Sequence, residues 1–190
     1  MNSKEYIIIH HSAVSRDKNN EQFDAVKRYH IGKGWGNIGY HWFIEPDGTI
    51  KKGRKENEIG AHCKEKWMNY RSIGICLAGH FDLEEPTTEQ LEALQEVIHN
   101  LKLQYKIDPK SVRQHHFYAG YKSCPGKNLP IDVIQQIAKG EYIAEKVSPW
   151  ARLAVQFCKE QGIAKRWDLP QNPVTKEEMA VMLYRLYKIK

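Results

Sequence analysis

Two strand-forming segments far apart in the chain each deliver a pair of histidines. The first is Tyr6-Ile7-Ile8-Ile9-His10-His11, whose apolar, β-branched run reads as a buried strand. The second, Ser111 to Gln114, reads as a short strand leading into His115-His116, with Cys124 on a loop nine residues past His115. Strand ends of a sheet are where residues distant in sequence can converge. Adjacent strand residues face opposite sides, so one imidazole of each pair is available to a common site; spacing leaves open which one. Two imidazoles and a thiol make a three-ligand set for zinc. Such a set leaves a coordination position for water, as in a catalytic rather than a structural ion. A closed structural zinc would want four ligands in paired clusters such as Cys-x-x-Cys, which this chain lacks. His62-Cys63 is a rival pair without a partner nearby. A lone histidine is more often a satisfied structural residue and a lone cysteine a small buried hydrophobe, so the combination carries the reading.

The pattern along the chain predicts an α/β fold, a mixed central sheet flanked by helices. Asn20 to Lys33 reads as an amphipathic helix with Phe23, Val26, Tyr29 and His30 on one side. Gly39 to Glu45 reads as a strand, turned at Pro46-Asp47-Gly48 into a hairpin partner, Thr49 to Lys52. Ser72 to Ala78 is a third apolar strand, ended by Gly79. Thr87 and Gln90 form a capping-box pattern ahead of a helix to about Tyr105, with Leu91, Leu94, Val97, Ile98 and Leu101 at helical spacing. Leu129 to Lys139 is a further helix with Gly140 as its stop. Gly34-Trp35-Gly36-Asn37-Ile38-Gly39 fits the spacing of a dinucleotide fingerprint. That fingerprint needs a strand before it and a helix after it, and here the order is reversed, so it reads as a turn.

The charge, 29 basic against 23 acidic residues, gives a net +6. A basic surface attracts nucleic acid, anionic lipid or anionic cell wall, or simply confers solubility. No stretch approaches the roughly 20 apolar residues of a membrane span. The polar start, Met1 to Glu5, runs straight into a strand, so no signal peptide is expected. Cys63, Cys76, Cys124 and Cys158 are too scattered for a disulfide framework, which points to synthesis in a reducing cytoplasm.

In order and spacing, several motifs resemble the type-2 N-acetylmuramoyl-L-alanine amidases, bacteriophage and bacterial zinc enzymes that share a fold with peptidoglycan recognition proteins. They are Ile8-Ile9-His10-His11-Ser12-Ala13, Gly39-Tyr40-His41-Trp42-Phe43-Ile44, Pro46-Asp47-Gly48-Thr49-Ile50, Gly53-Arg54, Gly60-Ala61-His62, Asn69 with Ser72-Ile73-Gly74, and His115-His116 followed by Lys122-Ser123-Cys124-Pro125. The resemblance covers Lys4 to Ile137. It implies zinc ligation by His10, His115 and Cys124, with Tyr40 and Lys122 as catalytic residues. Binding-only members typically lack the cysteine, which this chain keeps. The substrate implied is bacterial peptidoglycan, cleaved between N-acetylmuramic acid and L-alanine. An ammonium or phenol near the carbonyl oxygen would stabilise a developing oxyanion, or Tyr40 would orient or deprotonate the attacking water. His62, Asn69 and Arg54 match substrate-groove or structural positions, and Trp67 would offer a platform to sugar or peptide. The expected role is that of a phage or prophage endolysin, made in the host cytoplasm and acting on the wall after release, with no nucleic-acid partner. The alternatives are a host autolysin, a peptidoglycan-binding protein without catalysis, and an interaction protein.

The expected boundary falls at Gly140, between a catalytic domain (1–140) and a helical segment (141–190). That segment, a helix-loop-helix, resembles a single S-layer-homology-like unit in Trp150-Ala151, Gly162-Ile163 and Pro173 to Ala180. It carries nine basic and six acidic residues. Binding to anionic secondary cell-wall polymers, packing on the main domain and homodimer formation remain open for it.

Overall fold

The structure is a computed structural model that describes residues 4–16 and 21–142. Its elements are β1 (Tyr6–His11), α1 (Phe23–Gly32), β2 (Trp42–Ile44), β3 (Ile50–Lys52), α2 (Met68–Arg71), β4 (Ser72–Leu77), α3 (Thr88–Tyr105), β5 (Val112–Gln114), α4 (His115–Tyr118) and α5 (Ile131–Lys139). The strands form one mixed sheet in the order β3-β2-β4-β1-β5. β1 pairs in parallel with β4 and β5, β4 in parallel with β2, and β3 closes the edge as an antiparallel hairpin with β2. Parallel strands covered on both faces read as continuous apolar runs rather than alternating ones. Ile7, Ile8 and Ile9 are accordingly all fully buried.

The two faces are covered differently. Ile7, Ile9, Ile73, Ile75 and Leu77 pack under α3 and α5, against Leu94, Ile98, Ile134 and Ile137. The opposite face carries Ile8 with Cys63 and Met68, and Phe43 and Cys76 with Val26 and Ile38. Among the described residues, α1, α2, Tyr118 of α4 and loop segments supply that second layer. His10 has the parity of Ile8 and lies on this thinly covered side; His11 has the parity of Ile9.

α3 begins as its sequence indicates. Thr87 accepts from the Gln90 amide (3.0 Å), and the Gln90 side chain accepts from the Thr87 amide (3.1 Å). The Thr87 hydroxyl also donates to Pro46 O, and the buried Gln90 carboxamide donates to Ala78 O, so the cap ties the helix to the sheet. α1 is capped from a distance. The Glu45 carboxylate, at the end of β2, accepts from the amides of Gln22 and Phe23.

Several expectations change. β2 is shorter than Gly39 to Glu45, because the chain before Trp42 bonds to loops: Gly53 and Arg54 donate to His41 O and Tyr40 O, and Ala61 donates to Gly39 O. On α1, Val26 and His30 are buried but Tyr29 faces solvent beneath the Lys33 ammonium. The second histidine pair does not lie in a strand, since β5 stops at Gln114 and His115 opens α4. Helical geometry therefore separates buried His115 from exposed His116. α5 ends at Gly140, whose φ of 79° supplies the left-handed cap. The helix-loop-helix expected in residues 141–190 lies outside the described residues, apart from Glu141 and Tyr142.

Thr87→Ala removes one half of the capping box and the bond to Pro46. It is expected to lower stability by about 1–2 kcal/mol, read as a lower urea midpoint with an unchanged slope.

Candidate active site

The carboxyl ends of parallel strands form the crevice where open α/β sheets bind ligands. β1 lies between β4 and β5, so His10, next to last in β1, meets the first residue after β5, His115. The two rings lie 4.5 Å apart between centroids. Cys124 returns to the same point, with its Sγ 3.7 Å from His10 Nδ1. One donor atom from each of His10, His115 and Cys124 lies within 4.8 Å of the other two.

The returning loop is strapped down. His116 donates its amide to Cys124 O (2.8 Å), Asp82 accepts from the Ser123 hydroxyl and the Lys127 amide, and Asn128 donates to Phe81 O. The Cys124-Pro125 peptide is cis.

Burial, and then the charges of His115 and His62, push the His10 imidazole well below its ordinary range. Burial and the Lys122 ammonium push His115 down to about 4. Both rings are therefore neutral at pH 7 and carry a lone pair. Burial drives the Cys124 thiol up to about 12, against the opposing pull of the His11 amide that donates to it. A cation bound by this set has to displace that thiol proton.

Each of the two histidines has a further partner. His10 Nε2 lies 3.1 Å from His62 Nδ1. His62 fits there because Gly60 and Gly74 leave room; a Cβ on Gly74 would come within 2.6 Å of its ring. The buried His62 Nε2 has no hydrogen-bond partner among the described residues. His115 Nε2 faces Glu65 Oε2 at 3.9 Å, and the other oxygen of Glu65 accepts from the Tyr121 hydroxyl at 2.6 Å. Cys63 Sγ lies 3.6 Å from the same Glu65 Oε2. His62 and Cys63 thus do have partners, contrary to the sequence reading. Glu65 is a site residue that the sequence pattern does not mark. Its only signal was two-residue spacing from Cys63.

Tyr40 lies beside His10, with ring centroids 5.1 Å apart. Its hydroxyl hydrogen-bonds the Cys76 thiol, and burial raises its pKa well above 10. The phenol thus stays protonated and can donate, not abstract. Lys122 is exposed at the rim, and its charge is felt by both His10 and His115.

The remaining expected residues divide. Asn69 Oδ1 accepts from the amides of His62 and Cys63 (2.8 and 2.7 Å), which fixes the loop that presents them. The Arg54 guanidinium donates to Ile38 O, Ile59 O and Trp35 O, bracing neighbouring loops. Lys4, buried at the start of the chain, donates to Glu58 O, Tyr70 O and Ser72 O and ties three further segments together. Trp67 stands 72% exposed, in a left-handed conformation following left-handed Lys66.

The profile of the N-acetylmuramoyl-L-alanine amidases matches residues 1–127. The endolysin of Escherichia phage T7 is 33% identical over 132 residues, which span 67% of this chain and 83% of that protein. Among solved structures, the N-acetylmuramoyl-L-alanine amidase LysC from Clostridium intestinale URNW superposes with a TM-score of 0.63 at 32% identity, covering 70% of this chain and 83% of that one. Wild-type Drosophila PGRP-LB superposes at 0.61 with 29% identity, covering 76% and 86%. The chain belongs to the N-acetylmuramoyl-L-alanine amidase family and is an enzyme of that activity.

His11, His30, His41 and His115 are each held at about 4, chiefly by burial. Unfolding frees these rings to take protons near their ordinary 6.5, so the unfolded chain binds more protons between the two values. Their contribution to stability is complete above about pH 6.5 and is lost as the pH falls toward 4. Chelator-treated protein should therefore melt progressively lower from pH 7 to pH 4.5. A flat profile over that range would contradict the burial of these rings.

Proposed function

We propose that His10, His115 and Cys124 hold one zinc ion, and that this amidase serves as a phage or prophage endolysin. The carrying observation is the convergence of two neutral imidazoles and a thiol. Around a tetrahedral zinc, sulfur and nitrogen ligands stand roughly 3.5 Å apart, given bond lengths of about 2.3 and 2.0 Å. The 3.7 Å between Cys124 Sγ and His10 Nδ1 fits that edge. Zinc, when bound, supplies Lewis acidity toward the scissile carbonyl and brings the pKa of a water down to about 7.

The protein's own groups do the rest. His62 takes the second nitrogen of His10 and so fixes which nitrogen of that ring faces the site. Glu65 stands 3.9 Å from His115 Nε2, where its charge favours one orientation of that ring. The protonated Tyr40 hydroxyl serves as a hydrogen-bond donor to the amide oxygen as charge develops on it. The Lys122 ammonium adds a positive field from the rim. Trp67 offers an aromatic surface to sugar or peptide at the edge of this region. Asn69 and Arg54 act on substrate indirectly, through the loops they brace. Residues 141–190 add attachment to wall polymers or a dimer contact, a reading carried by their sequence.

Digestion of purified peptidoglycan should release intact stem peptides from an uncut glycan, identified by mass spectrometry; cleaved glycan or cleaved peptides would refute the reading. Cys124→Ser should lose most bound zinc and most turnover, since a serine hydroxyl stays protonated at neutral pH. A variant with full zinc and full turnover would remove Cys124 from the ligand set.

Tyr40→Phe and Lys122→Ala should keep zinc while turnover drops roughly a hundredfold each, the scale of a lost oxyanion donor. The check is metal analysis alongside kinetics on soluble muropeptide. Parental turnover in either variant would exclude that residue from the chemistry.

A further inference from the structure

Beside the first triad lies a second set of donors. Cys63 Sγ, Glu65 Oε2 and His115 Nε2 come together, with one donor atom from each residue within 4.8 Å of the others. The two sets share only His115. We propose that Cys63, Glu65 and His115 form a second zinc site, and that its occupation inhibits the enzyme by drawing on a histidine of the first.

One edge of the trio is a hydrogen bond, donated by the Cys63 thiol to Glu65; the edge from Glu65 to His115 is wider. The Glu65 Oε2 to His115 Nε2 distance of 3.9 Å is too long for a hydrogen bond. The Cys63 Sγ to Glu65 Oε2 distance is 3.6 Å. Around tetrahedral zinc, sulfur–oxygen and nitrogen–oxygen edges come to roughly 3.3–3.5 Å. The two edges that meet at Glu65 thus stand slightly wider than in a ligand triangle, and the donor atoms of Cys63 and His115 lie within 4.8 Å of each other. Thiolate, imidazole and carboxylate are all zinc donors.

The surroundings hold the trio in place. Asn69 fixes the Cys63 amide at 2.7 Å. Tyr121 occupies only Glu65 Oε1, at 2.6 Å, and leaves Oε2 turned toward the other two. Cys63 and His115 are buried, while Glu65 is half-buried and Tyr121 exposed, so an ion can enter from the Glu65 side.

His115 makes the two sites interfere. If both ions call on the same nitrogen, the first loses His115 and is left on His10 and Cys124. If they use opposite nitrogens, the ring has to release its remaining N–H proton to solvent, together with the Cys63 thiol proton. In either case the second ion binds more weakly than the first and perturbs it. The inhibition rests on the first triad being the catalytic zinc set; the existence of the second site does not.

The test starts from full-length protein loaded with one zinc and titrated with zinc chloride. Bound zinc is counted by equilibrium dialysis, and turnover is followed on soluble muropeptide. The parent should take up a second zinc as turnover falls. Cys63→Ala should show the parent's one-zinc turnover and need at least about tenfold more zinc for the same inhibition, the scale of losing one coordinating group. Cys63→Ser serves in its place if the alanine variant does not fold. Replacing zinc by cadmium should add thiolate-to-cadmium charge-transfer absorption with the second ion in the parent, and none in the Cys63 variant. A parent that holds one ion at every zinc concentration overturns the proposal, as does a Cys63 variant that takes up the second ion with parental affinity. Loss of the functional reading would show separately, as one-zinc protein without turnover, and the ion count would still decide the second site.

Discussion

The parallel pairing of β1 with neighbours on both sides is the constraint from which the rest of this structure follows. Four strands, β2, β4, β1 and β5, run in one direction and bring their carboxyl ends to one edge, and β1 sits between β4 and β5. His10 lies at the carboxyl end of β1, one residue before its last, so whatever follows the neighbouring strands is delivered to it. His115 arrives as the first residue after β5, and Cys124 arrives on a loop anchored by hydrogen bonds that the His116 and Asn128 amides donate. A shift of one residue in β1 would exchange His10 for His11 and bury the wrong ring under α3.

The unequal covering of the sheet then gives the site its character. Long helices seal one face. The other is sealed by glycine-bearing loops held by backbone hydrogen bonds to Lys4, Arg54 and Asn69. A loop layer can present many polar groups at close range without a continuous apolar surface. Burial within it keeps five imidazoles and the Tyr40 phenol in their neutral forms.

How far this was legible in the sequence depended on the range of the interaction. The capping box at Thr87 and Gln90 and the stop at Gly140 are local and could be read directly. The strand core was legible because an unbroken Ile7-Ile8-Ile9 has few other uses. The Glu45 cap on α1 was not, since the residues it joins are 22 or more apart and bond only after the hairpin forms. Tyr29 was misplaced because helical spacing alone does not say how wide the buried stripe is. Glu65 was hidden by an irregular turn. Lys66 and Trp67 both adopt left-handed conformations, which no residue type there announces. Tyr40 drew notice through family resemblance, and its protonated state became clear only with the burial of its hydroxyl.

The contact between His62 and the bare backbone of Gly74 bears on how this enzyme can evolve. A ring lying against a strand with no side chain between them leaves no rotamer to adjust and no neighbour to trim. Variation at position 74 is closed in a way that variation in the loop bearing His62 is not. The loop of residues 60–71 can vary around that contact where position 74 cannot. β4 stays as a fixed template beneath it.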